Sequence, residues 1–475
     1  MGFLDSAVSW FAGWIWGIPL LILVMGGGLY FMIYSRFMPF LYFKHAILVL
    51  AGKYHEDDKE GQISHYEALS TALAATVGMG NISGVAVAIT MGGPGAIFWM
   101  WVSAFFGIAT KFFTCTLAVM FRGKDSNGEV SGGPMYVITE GLGQKWRPFA
   151  VFFCIFALIG ALPIFQANQL TAALNAVLAP NVGYDAKASF SLFGADISIA
   201  STIIGLILTI LVSTVIFGGI KKIAKVASRM VPSMVVLYFI LVVYILLQNV
   251  GQIPSIFASI ISEAFTGSAI LGGGVGAVLI VGAKRAAFSN EAGIGTAPLV
   301  HGDSKTDEPV REGLVAMLGP AIDTLVVCTL TALVILGTGV HEAYLGAEDT
   351  GLLGVTLTLE AFNTAIPGYG GYFLGLCILV FAVSSLLSYS YYGVKCMSFM
   401  LGAKKGNLYN YIYIGTIILG AVASLGFVVN LIDSGFALMA IPTMVSAVIL
   451  APKAWKAAKS YFKRLKAGEF DDQVG

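Results

Sequence analysis

Apolar runs of about twenty residues, set apart by short polar segments, dominate the chain. IIGLILTILVSTVIF and VVLYFILVVYILL are apolar on every face. That suits helices in lipid, and the alternation of a membrane β-strand is absent. A hydrocarbon core of about 30 Å takes about twenty helical residues. By that rule eleven spans are predicted, near residues 14–36, 68–92, 94–121, 148–178, 197–218, 231–250, 270–300, 312–340, 369–401, 408–429 and 433–452. Several exceed one crossing, so tilt, breaks or turns outside the bilayer are expected. The first stretch, MGFLDSAVSWFAGWIWGIPLLILVMGG, lacks a basic start and an A-x-A cleavage site and reads as a retained span.

Composition narrows the function classes. The 475 residues are 57% hydrophobic and 11% charged, against about 25% charged in a globular domain. A soluble enzyme, a nucleic-acid binder and a disordered scaffold are excluded. The net charge of +1 implies no polyanionic partner. Cys115, Cys154, Cys328, Cys377 and Cys396 lie in apolar segments without CxxC spacing. They read as buried small hydrophobes.

Charge gives the orientation. Of the 27 Lys and Arg, all but Lys111, Lys187, Lys284 and Arg285 fall on one side of the predicted spans. The positive-inside rule then places the N-terminus outside and the C-terminus in the cytoplasm. The loop around 341–368, with Glu342, Glu348, Asp349 and Glu360 and no Lys or Arg, falls outside. The basic tail KAWKAAKSYFKRLK reads either as an interfacial helix on anionic lipid or as a stop-transfer flank.

Two spans combine glycines with polar residues at membrane depth. The second reads ALSTALAATVGMGNISGVAVAITMGGPG, with Gly78, Gly80, Gly84, Asn81 and Ser83. The seventh reads GGGVGAVLIVGAKRAAFSNEAGIGTAPLV, with Ser289, Asn290, Glu291, Gly293, Gly295 and Thr296. Unwound backbone in hydrocarbon is tolerated only where it lines a protein cavity. One break in each half of the chain points to a secondary transporter built from inverted repeats. Spans two to six and seven to eleven form two sets of five with opposite orientation, and span one lies outside the repeat. Half-helix ends offer N–H groups to a carboxylate and C=O groups to a cation. An amino-acid zwitterion travelling with Na⁺ needs that combination. The competing reading, close helix packing through small residues, fits GGPG and GGPM better than GMGN.

At these residues the chain resembles the alanine or glycine:cation symporter family. The matching segments are ISHYEALSTALAATVGMGNISGVAVAITMGGPGAIFWMWVSAFFGIATKF, SGGPMY, FSNEAGIGTAP and SYSYYGVK, in order from about residue 63 to 397. The resemblance implies the amino acid–polyamine–organocation superfamily fold in a prokaryotic cell (inner) membrane. That is an all-α polytopic protein of eleven transmembrane helices, a five-plus-five inverted repeat with broken second and seventh helices, and one extra N-terminal helix. The expected divisions are 1–67 (N-terminal helix and cytoplasmic loop), 68–250 and 251–452 (the two repeats), and 453–475 (basic cytoplasmic tail).

The implied function is sodium-coupled import of small neutral amino acids, alanine and glycine, by alternating access. The alternative is a sodium- or proton-coupled carrier of glutamine or another neutral amino acid. The resemblance places the substrate at Gly78, Met79, Gly80 and Asn81, with Phe288 and Ser289 of the seventh span, Gln166 and Asn168 of the fourth, and Tyr389 closing the pocket. The carboxylate falls to the backbone of Met79 and Gly80. Sodium falls to the carbonyls of Ala74 and Val77 and the hydroxyls of Ser384 and Ser385, with H⁺ as the other coupling ion. Many family members carry Thr or Ser where Met79 stands. If that hydroxyl touches substrate, the preferred amino acid differs, with glutamine the first candidate. The lipid bilayer, the amino acid and sodium are the implied partners; no nucleic acid and no obligatory protein partner are implied.

The other polar residues at depth carry two readings each. Lys111 reads as snorkelling to the cytoplasmic interface. Lys284 and Arg285 read as a structural pair with Glu291 or a helix end, or as a cytoplasmic gate. Asp323 reads as a hydrogen-bonded packing group ahead of a coupling-ion site. His45, His55, His65, His301 and His341 are read as facing solvent or headgroups. An intramembrane enzyme lacks its motifs here: there is no H-E-x-x-H, no G-x-S-x-G and no P-loop. A channel or a transporter-like sensor lacks charged rings or a signalling domain.

Overall fold

A computed structural model describes residues 2–54, 59–186, 188–192, 195–266, 274–345 and 354–470. Lys187, His55, Glu348, Asp349 and residues 270–273 of the seventh span lie outside the described residues. Among the described residues the regular structure is helical apart from two short antiparallel hairpins, Gly123–Lys124 with Val130–Ser131 and Ser189–Leu192 with Ala195–Ser198. Both join spans.

Seven helices are each long and apolar enough to cross a bilayer, and two bent pairs bring the number to nine. The first bent pair is the first span, Ser6–Ile15 and Ile18–Tyr34, turned by 49° where Gly17 and Pro19 interrupt the backbone ladder. The other two predicted spans are also helical. The seventh divides into Gly274–Asn290 and Thr296–His301, and the tenth is the 15-residue Leu408–Val422. The fourth predicted span divides at Pro163 into Arg147–Gly160 and Ile164–Val182. The sixth, Gly219–Gln248, absorbs the basic KKIAKVASR segment. The last helix runs from Leu425 to Lys466 without a stop. Its 42 residues give about 63 Å at 1.5 Å per residue, twice a hydrocarbon core.

Burial separates lining helices from lipid-facing ones. In the fifth and sixth spans, 22% and 28% of the most apolar window is buried. By contrast every residue from Ala68 to Thr90 and from Arg285 to Ser304 is buried. The glycine-rich spans are thus enclosed by protein, which is where irregular backbone can persist in a membrane. The third span, Gly95–Met120, packs along the seventh and the eighth (Pro309–Thr338), while the sixth and ninth (Gly370–Leu401) pack on the half of the second span that begins at His65. The second span's break lies between these two groups.

Candidate functional site

The second span starts cleanly. Ser64 Oγ accepts from the Glu67 N–H at 3.2 Å, and the Glu67 carboxylate accepts from the Ser64 N–H at 2.9 Å, a capping box. The helix His65–Thr76 ends at Val77, whose backbone (φ −76°, ψ 83°) is no longer helical. A π-helical turn over Gly80–Gly84 restarts it, and the halves meet at 50°. Gly78 is required at the bend, because a Cβ there would collide with the Ser385 hydroxyl. Asn81 closes the break by accepting from the Gly78 N–H through Oδ1 at 2.9 Å. Met79 is fully buried.

The seventh span breaks beside it. Glu291, Gly293 and Gly295 take positive φ values of 55°, 86° and 109° between its helices. For a glutamate that conformation is uncommon, and such sites cluster where function demands them. Gly80 packs against this break, its Cβ direction meeting Ser289 Cα at 3.4 Å and the Phe288 ring at 3.6 Å. Phe288 stands edge-on to Phe165 at 4.7 Å and beside Phe436 at 5.8 Å, forming an aromatic wall. Tyr389 of the ninth span donates its hydroxyl to Glu291 Oε1, so it closes onto the seventh-span break.

Asp323 ties the two breaks together. Asn81 Nδ2 donates to its Oδ1 at 2.6 Å, and Ser289 Oγ and Thr324 Oγ1 donate to its Oδ2 at 2.7 and 2.8 Å. Three neutral donors thus satisfy one buried carboxylate. Asp323 was absent from the predicted set. It is hydrogen-bonded, and two of its three donors, Asn81 and Ser289, are predicted site residues. Only its place as an acid amid apolar residues signalled this, because its partner Asn81 is 242 residues away in sequence.

Three of the four predicted sodium ligands converge. Ser385 Oγ donates to the Ala74 carbonyl at 2.9 Å and Ser384 Oγ reaches the same oxygen at 3.4 Å. Both also contact the Phe381 carbonyl, at 3.0 and 2.9 Å. These are neutral oxygens, the donor type a hard monovalent cation takes. Val77 stands beside them at the end of the helix. Gln166 is buried in the fourth span. Asn168 is directed elsewhere: its amide donates to the carbonyls of Gly420 and Ala423 at 3.0 and 2.8 Å, capping the tenth span.

Three readings of charged residues are corrected. Lys111 does not snorkel; it is 1% exposed, walled in where the third span packs on the seventh and eighth. Lys284 and Arg285 pair with Asp433 of the last span, not with Glu291; the Lys284 distance is 2.7 Å. The pair precedes the break, on the side of Gly274. The histidines His45, His65, His301 and His341 are all buried. His45 lies in Phe43–Leu50 outside the spans, where burial and then Arg311 push its imidazole down to about 4.

The chain matches the sequence profile of the sodium:alanine symporter family over residues 1–474. It belongs to that family. It is 40% identical to the sodium/alanine symporter AgcS of Methanococcus maripaludis, over 94% of each chain. It is 34% identical to the probable sodium/glutamine symporter GlnT of Bacillus subtilis, over 96% of this chain and 90% of that one. Among solved structures it resembles MhsT in complex with L-phenylalanine, with a TM-score of 0.51 and 15% identity, over 84% of this chain and 98% of that chain. This symporter therefore has the expected all-α, polytopic fold with five-plus-five inverted repeats.

Proposed function

We propose that this symporter imports small neutral amino acids, alanine and glycine, with Na⁺ by alternating access, across a prokaryotic cell membrane with its N-terminus outside. The observation that carries the reading is the convergence of Ser384 and Ser385 on the Ala74 carbonyl at the second-span break. A cation held there fixes the half-helix His65–Thr76 against the ninth span. It also lies at that half-helix's C-terminus, where the dipole is negative. With the break held, the backbone N–H groups of Met79 and Gly80 face the substrate carboxylate at the start of the next half-helix. The C-terminal carbonyls of Gly274–Asn290 suit the ammonium. Phe288 and Phe165 bound the side chain. Sodium bound first thus organises the amino-acid site, which is positive coupling.

A second reading, glutamine, rests on Met79. It is a long side chain without a hydroxyl, fully buried at the break, and one relative is named a glutamine symporter. Coupling to H⁺ is the further alternative, since another relative in Bacillus subtilis is named a putative sodium/proton-dependent alanine carrier.

The test is labelled alanine uptake into proteoliposomes with an imposed Na⁺ or H⁺ gradient, with unlabelled glycine and glutamine as competitors. We expect uptake to follow Na⁺, with glycine competing better than glutamine. Uptake indifferent to Na⁺ refutes the coupling. A Ser385→Ala variant with unchanged sodium dependence refutes the ion site.

A further inference from the structure

Glu312 lies on the eighth span, fully buried, at the end opposite the Asp433 pairs. Its Oε2 meets His65 Nδ1 and its Oε1 meets His301 Nδ1. His65 is the first residue of His65–Thr76, and His301 the last of Thr296–His301. One carboxylate therefore grips the tips of both half-helices that lead from this face to the breaks. Neither imidazole has a partner at its Nε2, so the carboxylate is the only polar group fixing either ring among the described residues.

Three other acids at this end have permanent cations. Asp303 pairs with Lys395 at 2.6 Å, Glu308 with Arg464 at 2.6 Å and Asp307 with Lys59 at 2.8 Å. Glu312 alone among these faces imidazoles, the side chains whose charge changes between pH 5 and 8. The groups around it from the packed elements are Lys111, Cys115 and Arg122 of the third span and its end, and Glu67 of the second. From Phe43–Leu50 comes His45, and from the last helix Tyr461. Arg311 is its chain neighbour and stacks over Tyr54 and Phe470.

We propose that Glu312 is the positioning residue for the inner (cytoplasmic) halves of both broken spans, one carboxylate oxygen holding the imidazole at the tip of each. The segments so held are already zipped together: the Lys305 N–H donates to the Ile63 carbonyl at 2.7 Å and the Gln62 N–H to the Asp303 carbonyl at 2.8 Å. The inference rests on the proposed orientation only in naming this face cytoplasmic.

The experiment is amide hydrogen exchange on the full chain in nanodiscs. Peptides covering 62–76 and 296–312 are followed, without substrate, so the result does not depend on what is transported. Glu312→Gln is expected to lower the protection of both peptides about tenfold, the size of one charge-assisted hydrogen bond. His301→Gln keeps the His65 contact and is expected to lower protection of 296–312 while 62–76 stays as in wild type; it serves also if Glu312→Gln fails to fold. A Glu312→Gln or His301→Gln protection profile equal to wild type overturns the proposal.

Discussion

Asn81 reaches in two directions at once. Its carbonyl oxygen holds the Gly78 N–H inside the break, and its amide nitrogen holds Asp323 on the eighth span. Asn81→Ala deletes both and takes the donor from Asp323 Oδ1, while Ser289 and Thr324 keep Oδ2, so about 2–3 kcal/mol of stability is expected to go, read as a lower unfolding temperature in detergent. Gly78→Ala acts differently. The added methyl collides with the Ser385 hydroxyl, so sodium-dependent uptake is expected to be lost, whereas Gly415→Ala, with open space at its Cβ, leaves uptake unchanged. Retained sodium dependence in Gly78→Ala removes the contact from the argument. His45 provides a pH test. Its folded value of about 4 lies below its ordinary 6.5, so between those values the unfolded chain binds the extra proton. Stability present above pH 6.5 therefore falls as pH drops towards 4. A melting series over that range is expected to be flatter for His45→Gln. Gly78, Asn81 and Ser289 were legible as parts of the breaks because helix-weakening glycines beside polar side chains persist at membrane depth only where protein encloses them. The direction of Asn168 and the partner of Lys284 were not, since both are set by residues of the tenth and last spans.

The helices themselves show how far apolar run length reaches. It located the spans from 94–121 and 369–401 almost to the residue, because Gly93 and Gly402, at φ 67° and 90°, mark those ends. It placed the sixth span's start twelve residues late, since the amphipathic KKIAKVASR turns continue the same helix. It also expected a stop near 452 that Pro452 does not impose: the helix carries on, with Tyr461 and Phe462 buried against Phe43–Leu50 and its neighbours. The two breaks were legible as glycines with polar neighbours, while their mutual contact through Gly80 and Ser289 required the fold. At this scale the Asp433 pairs are decisive. Lys284 and Arg285 on the seventh span meet Asp433 on the last, whose carbonyl also accepts from Trp16 of the first span at 2.9 Å. Asp433→Asn leaves two enclosed cations without an acid, and a loss of about 3 kcal/mol or more is expected. Thermal unfolding checks it, with the triple variant Lys284→Met, Arg285→Met, Asp433→Asn expected to recover most of the loss. Failure of that recovery means the carboxylate matters for something other than its two cations.

For the whole molecule, closure at two ends is the physical core of the transport proposal. At one end Asp433 joins the last span to the seventh; at the other, Lys395 and Tyr391 of the ninth span both bind Asp303. Arg122 donates to the carbonyls of Gly302 at 2.7 Å and Thr306 at 3.0 Å. A cavity of about 450 Å³ lined by Gln169, Ala172, Ser201 and Ala421 lies towards the first end, and one of about 580 Å³ lined by Glu60, Arg122, Glu140 and Thr306 towards the second. If the halves rock about a common site, the two closures share one equilibrium. Weakening either then shifts population away from the state that opens the other end. The five native cysteines are buried, so reporter cysteines at Ala172 and Glu140 can be labelled against a low background. Lys395→Ala is expected to raise labelling at Glu140→Cys and lower it at Ala172→Cys, and saturating Na⁺ to move both back towards the unmutated ratio. Two ends that open independently would leave Ala172→Cys unchanged by Lys395→Ala. That outcome would replace rocking with separate local gates, because only a shared equilibrium forces the two labels to move in opposite directions.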